Sequence, residues 1–251
     1  MFTKVFDLSH YNKWNMLIWF LLAFQAGAIN AGAFIGCHRF VSHVTGFATL
    51  VGTEIARSRF DAALGMATVP LFFLVGAMIS AYFVDKRVAA HQKPQYTFLV
   101  FTIAVLMMVA SFGGLNGWFG AFNTPTETEP NYSLLAILCL TCGIQNASTS
   151  AASKSVVRTT HLSGLTTDLG IGLMRIFAQG QTSKIKYEET RATGMRVGII
   201  GSFIAGSTVA AFVFLSYGFC GYFIPAVISS GLLLIDLKDR IHSRMSTRGL
   251  T

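Results

Sequence analysis

Apolar residues in this chain come in long runs rather than stripes, separated by short polar stretches. Six runs reach the length of a membrane-spanning helix, about 20 mainly apolar residues. They are 15–36, 62–84, 96–114, 132–153, 192–216 and 219–236. The last two nearly touch at Tyr217-Gly218, where the pattern predicts a tight helical hairpin. Two further stretches, about 44–58 and 162–178, are shorter; each opens on Thr or Ser, is punctuated by Gly and closes on Arg. They are too short and polar to span comfortably, and are expected to be re-entrant half-helices or interfacial helices.

The short stretches match each other. Residues 42–57 read S-H-V-T-G-F-A-T-L-V-G-T-E-I-A-R and residues 160–175 read T-H-L-S-G-L-T-T-D-L-G-I-G-L-M-R. At an offset of 118, His43 falls on His161, Thr45 on Ser163, Gly46 on Gly164, Gly52 on Gly170 and Arg57 on Arg175. G-A-I-N-A (27–31) before the first copy matches G-I-Q-N-A (143–147) at offset 116. F-L-V-G-A-M-I-S-A-Y (73–82) after it matches F-I-A-G-S-T-V-A-A-F (203–212) at offset 130. Three matches in one order mark a duplicated unit.

Composition places the unit in a bilayer. Of 251 residues, 53% are hydrophobic and 12% charged, about half the charge of soluble domains. The net charge of +8 therefore reads as cytoplasmic anchoring and not as nucleic-acid binding. Cys139 and Cys142 form a C-x-x-C inside an apolar run, where small-residue packing is expected; no disulfide framework follows from the four Cys. The N-terminal stretch lacks a small-residue cleavage site and reads as a retained tail.

Lys and Arg placement sets the expected topology. The loop 115–131 has neither residue and carries Glu127 and Glu129, so it is placed outside. Lys86, Arg87 and Lys93, then Lys184, Lys186 and Arg191, and the tail with Lys238, Arg240, Arg244 and Arg248 are placed in the cytoplasm. Arg39, Arg57 and Arg59 fall on the outer side, as site residues or snorkelling groups. Three spans per unit turn the second unit upside down. The expected fold is an all-α polytopic membrane protein of two inverted-topology repeats, each with three transmembrane helices and one short re-entrant helix. Its parts are an N-terminal tail 1–14, repeats 15–114 and 132–236, an external linker 115–131 and a basic tail 237–251, with both termini cytoplasmic. A rival with eight spans and parallel repeats puts either the Lys-free loop or the basic tail on the wrong side.

Inverted repeats bind solutes near the midplane, where broken helices meet. Ser42 or Thr45, and Thr160 or Ser163, are N-cap types, and Gly46 and Gly164 admit a close backbone. A half-helix start carries about half a positive charge and unpaired N–H groups, which suit an anion or the carboxylate of a zwitterion. His43 and His161 lie beside these starts with three competing roles: hydrogen-bond donor, proton carrier or metal ligand. Metal binding with Cys37 and His38 lacks a carboxylate-rich shell and helical H-x-x-x-H spacing, so no metal and no cofactor is assigned. Asn30 and Asn146 either cap the break between span and half-helix or touch solute, with Gln25 and Gln145 candidates for the same cluster. Arg39 and Arg158 offer positive charge. Arg57 and Arg175 complement the helix ends. Glu54 and Asp168, unmatched between the copies, are candidates for coupling or for plain salt bridges.

The motifs F-V-S-H-V-T-G-F (40–47), G-I-Q-N-A (143–147) and V-R-T-T-H-L-S-G-L-T-T-D-L-G (157–170) resemble the bacterial YoaK-like family of small multi-pass membrane proteins. Ser163 stands where that family usually has Thr, and Phe47 where it commonly has Asn. The resemblance spans most of 15–236 and implies a bacterial inner-membrane protein without supplying an activity.

The expectation is a secondary transporter or channel for a small anionic or zwitterionic solute, working by rocking one unit against the other. A non-transporting scaffold or accessory subunit is the alternative. A metal-ion transporter is disfavoured, and so is an enzyme using Ser163, His161 and Asp168, since residues at i and i+2 do not face each other on a helix. The partners expected are the lipid bilayer and the solute. Gly76, Ala77, Ser80, Gly206 and Ala210 suit packing within one chain or between two, which leaves a homodimer open.

Overall fold

The computed structural model describes residues 12–123, 131–153, 161–178 and 182–248. Residues 1–11 of the expected tail, 124–130 of the expected linker, and the candidates Arg158 and Thr160 lie outside the described residues. Every described element is helical: α1 (Lys13–Cys37), α2 (Val44–Ala56), α3 (Phe60–Phe83), α4 (Asp85–Ala89), α5 (Tyr96–Leu115), α6 (Tyr132–Ala152), α7 (Leu162–Phe177), α8 (Ser183–Tyr217) and α9 (Phe223–Arg248). Five continuous helical stretches are long and apolar enough to cross a membrane. The fifth, Ser183–Asp239, is broken by a 3-10 turn at Gly218–Tyr222 into α8 and α9, which accounts for the six apolar runs of the sequence.

Gly218 turns the chain there with φ 54°, a conformation other residues rarely adopt. The expected tight hairpin does not follow. The two helices barely touch, and α9 packs on α5 and α1 instead.

Packing crosses the two sequence repeats. The most extensive contacts are α1 with α8 and α3 with α6, so the first helix of each unit lies on the third helix of the other. Glycine makes both seams. A Cβ on Gly27 would overlap the carbonyl of Phe203, and one on Gly206 the carbonyl of Phe24; Gly143 meets the carbonyl of Phe73, and Gly76 that of Leu140. These four contacts are two contacts, each appearing twice through the offsets 116 and 130. Between apolar helices in lipid there is little hydrophobic drive, and such backbone approach supplies the attraction. Gly76, Ser80, Gly206 and Ala210 are thus consumed inside the chain.

Contacts also give the helix directions. From Phe20–Gly198 to Gly32–Phe214, α1 and α8 run parallel, as do α3 and α6 from Gly65–Tyr132 to Gly76–Leu140. α5 and α9 run antiparallel: Thr97 donates to Asp236 near one end, and Phe112 meets Phe223 at the other. One end of the bundle gathers Lys86, Arg87, Lys93, Lys184 and Lys186. The opposite end is closed by rings, with Phe122 stacked on Phe214 at 5.7 Å and edge-on to Phe219 at 4.9 Å.

The centre is apolar, around Trp19, Ile29, Leu99, Met107, Leu135 and Leu138, all fully buried. A buried polar thread crosses it. Gln25 Nε2 donates to Gln145 Oε1 at 3.0 Å, Gln145 Nε2 to the carbonyl of Leu22 at 2.7 Å, and Ser229 Oγ to Gln25 Oε1 at 3.0 Å. Buried amides are costly unless paired, and these are paired with each other. The outer faces carry Leu64, Leu71, Met78, Phe212 and Leu215 in the open, apolar surface suited to lipid rather than water.

Candidate functional site

The two short helices begin alike. The N-cap positions are His43 (φ −114°, ψ 70°) and His161 (φ −101°, ψ 64°), and neither imidazole makes a capping hydrogen bond. The expected Ser or Thr caps are displaced by one or two places. Ser42 Oγ instead donates to Asn30 Oδ1 at 3.1 Å, while Thr45 and Ser163 are already within the helices. Gly46 and Gly164 were expected to admit a backbone, and none is near. Gly46 has only the His43 side chain within reach, and Gly164 faces open space.

Both starts open into one cavity of about 370 Å³. His43, Thr45 and Ser42 line it from the first copy, His161 and Ser163 from the second, and Asn30 from α1. Phe73 and Phe203, from the middle of α3 and α8, complete the wall together with Phe40, Val44 and Leu162. Matched residues thus face one space: His43 with His161, Thr45 with Ser163, Phe73 with Phe203. The two phenylalanines are absent from the expected site, although both head the matched F-x-x-G segments. An identical aromatic at matched positions was the available signal. Phe40 has none, because Arg158 stands opposite it in the second copy.

The two Asn residues secure the approach to each short helix. Asn30 accepts from Ser42, and Asn146 Nδ2 lies 3.3 Å from His161 Nε2. Gln25 and Gln145 form their own cluster deeper in the core and do not join them.

The charged candidates among the described residues lie elsewhere. Arg39 Nη1 donates to the carbonyl of His38 at 2.8 Å, and Asp168 is exposed on α7; neither is among the residues lining the cavity. Glu54 is buried at the far end of α2, with Arg59 Nε 2.6 Å and Arg57 Nη1 3.3 Å from its oxygens. The far end of α7 has the mirror arrangement: Glu189 of α8 holds Arg196 at 2.7 Å and Arg175 at 3.4 Å. Glu54 corresponds to Gly172 at offset 118, and Arg59 to Glu189 at offset 130. The carboxylate has moved from the short helix to the long one, and Gly172 leaves room for it, since a Cβ there would press on Glu189, Arg196 and Thr193. Hydrogen bonds from Arg196 and then Arg175 hold the Glu189 carboxyl below its usual range. Among the described residues no three His, Cys, Asp or Glu side chains gather as a metal site requires.

An apolar bundle whose described elements are all helices, with a cavity where two short helices start, defines the class: a multi-helix protein compatible with a lipid bilayer. The chain belongs to the family described as protein of unknown function (DUF1275), which it matches over residues 18–235. That agrees with the resemblance to YoaK-like proteins. No curated protein and no solved structure matches it.

Proposed function

We propose that the protein is a secondary transporter for a small solute, anionic at the end held by the helix starts. The cavity that brings together both short-helix starts and both imidazoles carries this reading. A helix N-terminus in a non-aqueous setting needs a partner for its N–H groups, and an anion supplies one. The antiparallel course of α5 and α9 supports inverted repeats, because eight spans with parallel repeats would make these two helices parallel. Asn30, Phe73 and Phe203 stand well inside their long helices, which supports re-entrant α2 and α7 with starts near the midplane. The end rich in Lys then faces the bacterial cytoplasm.

The moving parts are not the two sequence repeats, because their helices interlock. One body is α1 with α8 and α7; the other is α3 with α6 and α2. His43, Thr45 and Phe73 belong to the second, while His161, Ser163 and Phe203 belong to the first. The solute lies on the boundary, where binding couples to movement of one body against the other.

The test is a thermal-stability screen of purified protein with small acids, amino acids and divalent metals. Small acids should stabilise the wild type, and His43→Gln with His161→Gln should weaken the effect about tenfold or more in ligand concentration, or ~1.4 kcal/mol. Stabilisation that survives Thr45→Trp, which fills the cavity, or no stabilisation by any solute, would favour the scaffold reading.

A further inference from the structure

Resting on the bilayer setting of the proposed transporter, we infer that a groove on the outer surface between α5 and α9 seats one acyl chain of a membrane phospholipid. The groove has a volume of about 390 Å³. Its place follows from the antiparallel pair. Thr97 meets Asp236 and Phe112 meets Phe223, so Ala104 of α5 falls opposite Ser230 of α9. Two small side chains face each other there, and both line the groove. Phe101, Val105 and Phe112 form its rim, each more than 40% exposed. Trp118 stands at the end of the groove farthest from the lysines, its ring laid against Gly113 and its surface 69% exposed. The described wall is apolar apart from the Ser230 hydroxyl and the Trp118 indole N–H.

Shape selects the occupant. From Phe101 to Phe112 the groove follows about three turns of α5, roughly 16 Å along the helix axis. Spread over that length, its volume leaves a slot about 5 Å across. A helix of a second copy is about 10–12 Å across with its side chains and does not enter such a slot. A stable interface between chains also needs about 20–30 residues a side, and ten line this groove. A single methylene chain fits, and the chains of a bilayer lie along the axis of a spanning helix. Tryptophan sits at the membrane–water interface with its ring in hydrocarbon and its N–H toward polar groups. Trp118 therefore sets its indole N–H at the level of the ester carbonyls, with the chain running from there along α5 towards Phe101. The seat touches the flanks of both proposed bodies, because α9 packs on α1 and α5 on α6.

The test places the full-length protein in nanodiscs of phosphatidylcholine with a photoreactive diazirine at the middle of one acyl chain. Irradiation before and after delipidating washes in detergent is followed by mass-spectrometric mapping of the labelled residues. Before washing, label should fall on the groove and on the exposed face of α3 at Leu71 and Met78. After washing it should persist on Val105 and Met108 and drop at least tenfold on α3. Ala104→Leu and Ser230→Phe, which fill the slot from opposite walls, should each cut the retained label about tenfold and leave the α3 label before washing unchanged. Equal loss from both faces on washing means bulk lipid only and overturns the inference. Retained label that both fillers leave in place overturns it too, as does a covalent bridge between two copies through α5. These outcomes leave the solute site to its own screen. Absence of label from every face before washing overturns the bilayer setting, and both proposals with it.

Discussion

Glycine carries two opposite meanings in this chain. Gly27, Gly76, Gly143 and Gly206 are pressed against carbonyls of another helix, whereas Gly52 and Gly170 face open space inside α2 and α7. Alanine at any of the first four must push two helices apart and should cost about 1–3 kcal/mol. At Gly52 or Gly170 it should be neutral or stabilising by roughly 0.5–1 kcal/mol, through the lower entropy of the unfolded chain. Thermal unfolding of the six single variants in one detergent reads the contrast, and equal losses at all six would contradict the seam assignment. The repeat made all six glycines visible in the sequence. Which of them pack could not be read there, since the partner carbonyl lies in the other half of the chain. The histidines were more legible, because their symmetric placement beside two helix starts singles them out without any partner. The capping hydroxyls were misread: Asn30, twelve residues upstream, takes the Ser42 side chain before it can cap.

At the scale of elements, each short helix is held by a carboxylate at its far end and opens on the cavity at its start. The residue types differ between the copies while the geometry returns, so sequence alone showed Glu54 as an unmatched acid, for coupling or for a plain salt bridge. The structure makes it a clamp between α2 and the start of α3. Glu54→Gln and Glu189→Gln should each loosen the clamped end by about 1 kcal/mol, modest because Arg57, Arg59 and Arg175 are more than half exposed. Amide exchange should rise in α2 for the first variant and in α7 for the second, with the other helix unchanged. Glu189 stands before the apolar run of α8, and its carboxyl lies below the ordinary value of 4.5. Its contribution is therefore complete above that value and fades as pH falls through the lowered one. Exchange in α7 should accelerate in that acid window for the wild type and show no such step in Glu189→Gln.

For the whole molecule, the apolar runs foretold the number of long helices, and Lys placement foretold which ends share a face. The interlocking of the repeats was not foretold, because periodicity names a buried face without naming what covers it. Two measurements address the arrangement. Cysteine placed at Thr126 should react with an impermeant reagent on whole cells, and at Ser183 it should not; labelling at Ser183 would rule out inverted repeats. In a background without native cysteines, Phe20→Cys with Gly198→Cys lies within one body, and Thr45→Cys with Ser163→Cys lies across the boundary. A short bis-thiol reagent should join the first pair at a rate indifferent to a small acid that stabilises the protein and the second at a rate that changes severalfold. Equal response of both pairs would dissolve the two bodies. The crossed packing also governs how the chain is made. α1 leaves the ribosome long before α8, the helix whose carbonyls fill its glycine seam, and α3 waits for α6. Until then the nascent first half lacks the helices that close its tightest grooves. Native closure is therefore a late, long-range event, and a nascent chain halted before α8 holds α1 without its mate.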